Sequence, residues 1–219
     1  MSVVKGLKNI NALVDRPRGD SGDKPRVRWL KLADGQSVKI RFIEELDEDS
    51  AHYDADRGLS LVVKEHTNPK DYRRKAVDTM ETEGRDWAEE MHRKDPKAGW
   101  RGRLRFYCNV LVEDGIEDPY VAIWSMGVSK QSAFNTIREY ALETGSVSNL
   151  TWKLKRNGVG TETSYTLIPS VPDAEPFVWE NAKPYDLDLA LNHVSYAEQE
   201  AFYLGFDTPS VTSSTNVEW

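Results

Sequence analysis

Between residues 101 and 112 apolar and polar side chains alternate with period two. Leu104, Phe106, Cys108, Val110 and Val112 fall on one side, and Arg101, Arg103, Arg105 and Tyr107 on the other. A strand sends successive side chains to opposite faces, so this stretch predicts a strand with one core face and one cationic face ending in a ring. The same division recurs along the chain. Val27 and Trp29 alternate with Arg26 and Arg28. After the turn signal Asp34-Gly35, Val38, Ile40 and Phe42 alternate with Lys39 and Arg41, which predicts a hairpin with a basic face. Leu59–Lys64 reads as a further strand and Tyr120–Met126 as another. Trp152 and Leu154 alternate with Lys153 and Lys155, in a second hairpin of residues 150–156 and 162–168 around Asn157-Gly158-Val159-Gly160.

Elsewhere the period lengthens. Residues 66–100 are highly charged and poor in β-branched side chains. Tyr72, Ala76 and Met80, then Trp87 and Met91, repeat at helical spacing, with Gly84 as an interruption. This predicts a helical insertion between strands. Ser129–Thr144 predicts a helix with Phe134, Ile137 and Ala141 on one side and Gly145 as its stop; Ser195 opens another in the capping pattern Ser-Tyr-Ala-Glu. The fold class is therefore mainly β with helical insertions, a small barrel of about seven short strands. Residues 1–25 form an N-terminal arm and linker, the arm carrying Val3, Leu7, Ile10 and Val14 at helical spacing. Residues 26–172 form the core, with the insertion at 66–100; residues 173–205 form an extension with a short helix. Residues 206–219 offer little to pack and read as a disordered acidic tail.

The net charge of −7 changes meaning once it is located. Residues 1–156 hold 28 Lys+Arg against 26 Asp+Glu, whereas residues 157–219 hold one Lys and ten acids. A body of net +2 followed by a segment of net −9 is a different object from a uniformly acidic protein. No apolar run approaches the ~18 residues of a membrane span, and the opening Met1–Lys8 lacks the apolar core of a secretory signal. Cys108 is the single cysteine, which fits a reducing compartment. Its place on the apolar side reads as a small buried hydrophobe. No phosphate-binding loop, dinucleotide fingerprint or nucleophile elbow occurs.

Cationic strand faces with an aromatic ring suit single-stranded nucleic acid: cations neutralise phosphates and rings stack on unpaired bases. Arg26, Arg28, Lys39, Arg41, Arg101, Arg103, Arg105, Tyr107, Lys153 and Lys155 are the candidate binding residues. Trp29, Trp124 and Trp152 fall on apolar registers and read as core. Two other readings compete. The insertion crowds His66, Asp78, Asp86, Glu89, Glu90 and His92 into one segment, and such oxygens could hold Mg²⁺ or Mn²⁺ in a metal-dependent nuclease acting through Asp78, Asp86 and Glu89. The acidic C-terminal part could instead serve a protein-interaction module.

Three stretches carry a resemblance: Lys64-Glu65-His66-Thr67-Asn68-Pro69-Lys70-Asp71-Tyr72-Arg73-Arg74-Lys75, Met91-His92-Arg93-Lys94-Asp95-Pro96, and Trp100-Arg101-Gly102-Arg103. They resemble the single-stranded-DNA-binding proteins of tailed bacteriophages, particularly those infecting actinobacteria, over about residues 26–205. They are more distantly similar to the T4-type gene-32 helix-destabilising proteins. The resemblance implies an OB-fold, a five-stranded Greek-key barrel, and a non-enzymatic role in coating single-stranded DNA during replication, recombination or repair in the cytoplasm of the infected bacterium. It implies an arm for self-association and an acidic tail that recruits replication or recombination proteins, here ending in Glu218 and Trp219. It adds Arg73 and Arg74 to the DNA-binding candidates. The T4-type proteins hold zinc with one His and three Cys. His66 matches that pattern, but Asp78, Asp86 and Glu89 stand at the cysteine positions. Carboxylates are poorer structural zinc ligands than thiolates. The insertion is therefore expected to fold without metal or other cofactor, around Tyr72, Trp87, Met91 and Trp100.

Overall fold

The computed structural model describes residues 27–170 and 182–206. The expectations for Arg26, for the arm, and for Glu218 and Trp219 in the tail lie outside the described residues. Seven strands make one antiparallel sheet: β1 (Ser37–Phe42), β2 (Leu61–Thr67), β3 (Lys75–Val77), β4 (Arg103–Glu113), β5 (Tyr120–Gly127), β6 (Trp152–Asn157) and β7 (Ser164–Pro169). Among the described residues four α-helices accompany them: α1 (Met80–Glu83), α2 (Trp87–Lys94), α3 (Ala133–Thr144) and α4 (Tyr196–Leu204). The protein is mainly β, and no helix among the described residues is long and apolar enough to cross a membrane.

β4 is the hub. Residues 103–107 pair with β2 and residues 110–113 with β1, while residues 105–112 pair along the opposite edge with β5. β1 continues to β6, and β6 to β7. The apolar alternation read from the sequence lands on one side of these strands. Val38, Ile40, Phe42, Phe106, Cys108, Val110, Val112, Trp124, Trp152, Leu154 and Leu167 join one buried cluster, closed by Ala133 and Ile137 of α3. The sheet therefore curls around its own apolar face. At the ends of that curl Trp124 of β5 meets Tyr165 of β7 edge to face at 5.6 Å. Cys108 is fully buried there, and burial pushes its thiol well above the usual range. Glu45, also buried, accepts from the Val147 and Ser148 N–H groups (2.9 and 3.2 Å) and from the hydroxyls of Ser146 and Ser148, pinning the chain after α3.

Two expected elements form differently. The hairpin of residues 26–31 with 38–43 is absent: Leu30 N–H donates to Ile123 at 2.8 Å, and Ile123 N–H to Arg28 at 2.8 Å, so this segment runs parallel to β5. β1 is freed to bridge β4 and β6. In the insertion, the helical spacing of Tyr72, Ala76 and Met80 is overridden by pairing of β3 with β2. Tyr72 is exposed on the loop and takes no part in the small core of the insertion. Trp87 and Trp100 do form a small core, but with Ala76, Ala88, Val194 and Tyr203. The aromatic partner they needed arrives from α4, more than 100 residues later in the chain. Ser195 precedes α4 as expected, although its hydroxyl donates to the Glu198 carboxylate at 2.7 Å and accepts from no backbone N–H of the helix.

Candidate nucleic-acid interface

The outward faces of β1 and β6 carry the clearest cationic surface. Lys39 of β1 sits directly across from Lys153 of β6, and Ser37 across from Lys155. Lys39, Lys153 and Lys155 are all exposed, because Val38, Ile40, Trp152 and Leu154 take the core side of the same strands. Like charges directly opposed across an antiparallel pair are destabilising, by up to ~1 kcal/mol. On its other neighbour Lys39 faces Glu113. None of the three lysines has an ion pair among the described residues. Arg41, half-buried, shares this face opposite Leu111.

The outward face of β4 is a different surface. Arg101 and Arg103 at its start are exposed. Two residues on, Arg105 is half-buried: its guanidinium donates to Ser125 Oγ at 3.0 Å and lies 3.6 Å from Glu65. Tyr107 is not a base-stacking surface ring. It is fully buried, packed with Ile123 and Leu187 and edge to face with Trp29. Its hydroxyl donates to Glu65 at 2.7 Å and accepts from Lys75 at 2.8 Å. Burial, reinforced by the charge of Glu65, pushes that hydroxyl far above its ordinary range. Asn109, next on the face, is equally buried. Its amide donates to Glu44 at 2.6 Å and to the Tyr185 carbonyl at 2.8 Å, and its oxygen accepts from the Tyr185 N–H at 3.0 Å. Leu111 packs with Ile43 and Ala182. The segment from Ala182 to Leu191 therefore covers the middle of the β4 face, which removes Tyr107 from the candidate DNA contacts and leaves Arg105 an internal partner.

Other nominated cations are also held within the fold. Arg28 forms a two-nitrogen pair with Glu117 and lies 3.2 Å over the Tyr120 ring. Arg74 donates to the Phe202 carbonyl at 2.5 Å and pairs with Asp71 at 3.5 Å, tying the β2–β3 loop to α4. Arg73 is exposed on that loop.

Beside the start of β4 the insertion assembles the four residues that the resemblance singled out. His66 is buried, with Nδ1 donating to the Trp100 carbonyl at 2.7 Å and Nε2 2.9 Å from Asp78. Asp86 lies 3.7 Å and Glu89 3.8 Å from the same Nε2. His66, Asp78 and Asp86 could in principle share a metal ion, with ligand atoms all within 4.8 Å of one another. The surrounding chemistry does not fit zinc. The Lys64 ammonium already lies 2.9 Å from Asp78 and 3.2 Å from Glu89. Both Asp86 oxygens are in use: one caps α2 through Glu89 N–H at 2.8 Å, and the other accepts from Gln199 at 2.8 Å and from Thr79 N–H at 3.2 Å. Burial, the largest single influence, works against the charge of Asp78 and of Glu89, but Lys64 and His66, joined by the Met80 N–H at Asp78 and by Arg93 at Glu89, together hold both below the usual carboxylate range. The same commitments occupy the carboxylates of the nuclease reading. Gly102 closes the site, since a Cβ there would lie 2.9 Å from His66 Cε1. Lys64 was legible in retrospect, because it stands two residues before His66 on one strand and so shares its face.

Comparison of the chain with protein-family models, curated proteins and solved structures returns no match.

Proposed function

We propose that this protein binds and coats single-stranded DNA without strong sequence preference, and that it acts without catalysis. The observation that carries the reading is the lysine cluster of β1 and β6. Lys39 and Lys153 are exposed, directly opposed and without an ion pair among the described residues; such like-charge opposition costs stability in the free protein, and a polyanion relieves that cost. The strand order supports it. The order β5-β4-β1-β6-β7, with α3 between β5 and β6, is compatible with the five-stranded OB barrel that the resemblance implies, a fold that binds oligonucleotides on its faces and loops. The insertion lies in the connection between β1 and β4. The convergence of Asp78, Asp86 and Glu89 on the His66 ring, a set that the family pattern nominated, supports the phage resemblance in particular. On that resemblance the protein works in phage DNA replication, recombination or repair within the cytoplasm of an infected bacterium. The arm mediates self-association, and the acidic tail, with Glu218 and Trp219, recruits replication or recombination proteins.

The test is competition between oligo-dT and duplex of equal length for the full chain, at several salt concentrations. The reading expects preference for the single strand and affinity that falls steeply with salt. Equal affinity for both, or binding insensitive to salt, contradicts it.

A further inference from the structure

Among the described residues the exposed aromatic side chains are Tyr72, at 64 % exposure, and Phe206, at 68 %. An exposed ring costs solvation free energy, and here it is displayed on a loop that is firmly built. Asn68 organises that loop: its side-chain oxygen accepts from the N–H groups of Lys70 (2.7 Å) and Asp71 (3.3 Å), its amide donates to the Tyr203 carbonyl at 2.6 Å, and its own N–H donates to the Arg74 carbonyl at 2.9 Å. Arg74 fastens the far end to α4 through the Phe202 carbonyl, and its guanidinium lies against Gly205, one residue before Phe206. Lys70 and Arg73 flank the ring and are exposed. The acid between them, Asp71, is engaged by the Arg73 N–H and by Arg74. A neighbouring loop with exposed Lys97 touches this one where a Cβ at Gly99 would lie 3.1 Å from Pro69, and it leads into exposed Arg101 and Arg103.

We propose that the β2–β3 loop is a base-stacking finger: Tyr72 lies on an unpaired nucleobase while Lys70 and Arg73 hold the flanking phosphates. The proposal rests on the single-stranded-DNA reading above and names the residue that makes the protein prefer single strands. A ring of low rotamer entropy on a braced loop suits stacking, which is sequence-tolerant because every base presents a π-face. A paired base keeps both its faces within the duplex stack and offers the ring nothing. The neighbouring Phe206 places a second ring beside the same anchor.

The experiment uses the full chain with oligo-dT and with duplex. Tyr72→Ala should weaken oligo-dT binding about tenfold and leave duplex binding unchanged, which narrows the preference. Its salt slope should match the wild type, because the ring carries no charge, whereas Arg73→Ala should lower the slope by roughly 0.7. Tyr72→Trp should restore binding. Irradiation with an oligonucleotide carrying 5-bromodeoxyuridine should crosslink the peptide that contains Tyr72. Because the side chain is exposed, the Ala variant should melt with the wild type. Wild-type affinity in Tyr72→Ala with no crosslink in residues 68–74 overturns the finger and leaves the DNA-binding reading standing. Absence of single-strand preference in the wild-type chain overturns both.

Discussion

Two outward strand faces that look alike in sequence, Lys39-Ile40-Arg41 with Lys153-Leu154-Lys155 and Arg103-Leu104-Arg105-Phe106-Tyr107, meet opposite fates. The first keeps three lysines exposed, with Lys39 directly across from Lys153 and Lys155 across from Ser37. The second is exposed only at its start. Beyond Arg103 it becomes a buried polar and aromatic seam in which Tyr107, Asn109 and Leu111 receive Tyr185, Leu187 and Ala182. Alternation decides which side of a strand a residue takes, and a remote segment of chain decides whether that side sees solvent. A seam built from buried hydrogen bonds sustains large losses on substitution; a bare lysine face sustains almost none and concentrates its effects on binding.

Mutation separates the faces most sharply at Tyr107. Tyr107→Ala should cost about 3–5 kcal/mol, since it empties a fully buried site and strips Glu65 and Lys75 of a partner. Lys153→Ala should stay within about 0.5 kcal/mol of wild type. Denaturant melts of the two variants check this, and comparable losses would erase the distinction.

The pH response of the seam comes next. Burial raises the Glu44 carboxyl to about 7, against the opposing pull of the Asn109 hydrogen bonds. A carboxyl that titrates near 4.5 in the unfolded chain and near 7 in the folded one binds more protons when folded across that interval. Its neutral form is the favoured one, so this group's contribution to stability falls as pH rises from about 4.5 through 7, by about 3 kcal/mol in all. Glu44→Gln should flatten that interval in a series of melts from pH 4.5 to 8. It should also lower the maximum, because the amide can accept only one of the two Asn109 N–H groups. A wild-type stability that climbs steadily over the interval would remove Glu44 as its source.

Smaller again is the effect of the internal cation beside β4. Lys64→Met leaves Asp78 and Glu89 facing each other with His66 alone. It should cost about 1–2 kcal/mol, a figure reduced by the partial exposure of Lys64. Because Lys64 takes the place a metal would take, adding a chelator to the wild-type protein should leave its melting temperature where it was. A chelator-induced drop would show that the site depends on metal.

The sequence made the strands legible because their apolar residues repeat with period two and end in one shared core. β4, β6 and the hairpin of β6 with β7 follow directly from Phe106, Cys108, Val110, Trp152 and Leu154. The lysines of β1 and β6 were legible for the same reason. The burial of Tyr107 is not legible in the sequence because the residues that bury it, Leu187 and Trp29, are distant in sequence and carry no local mark. Tyr72 departs from its sequence pattern in the opposite direction: three residues at helical spacing cannot compete with the ladder that β3 makes with β2. His66, Asp78, Asp86 and Glu89 could be brought together from the spacing of a family pattern, whereas the helix that completes their setting through Gln199 could not.

The central claim is that the exposed lysines of β1 and β6 hold DNA phosphates. It is tested most directly by the salt dependence of oligo-dT binding to the wild-type chain and to the variant K39A/K153A/K155A. Three lost phosphate contacts should lower the slope of log affinity against log salt by roughly 2, with an unchanged melting temperature. An unchanged slope in a well-folded triple variant would contradict the claim.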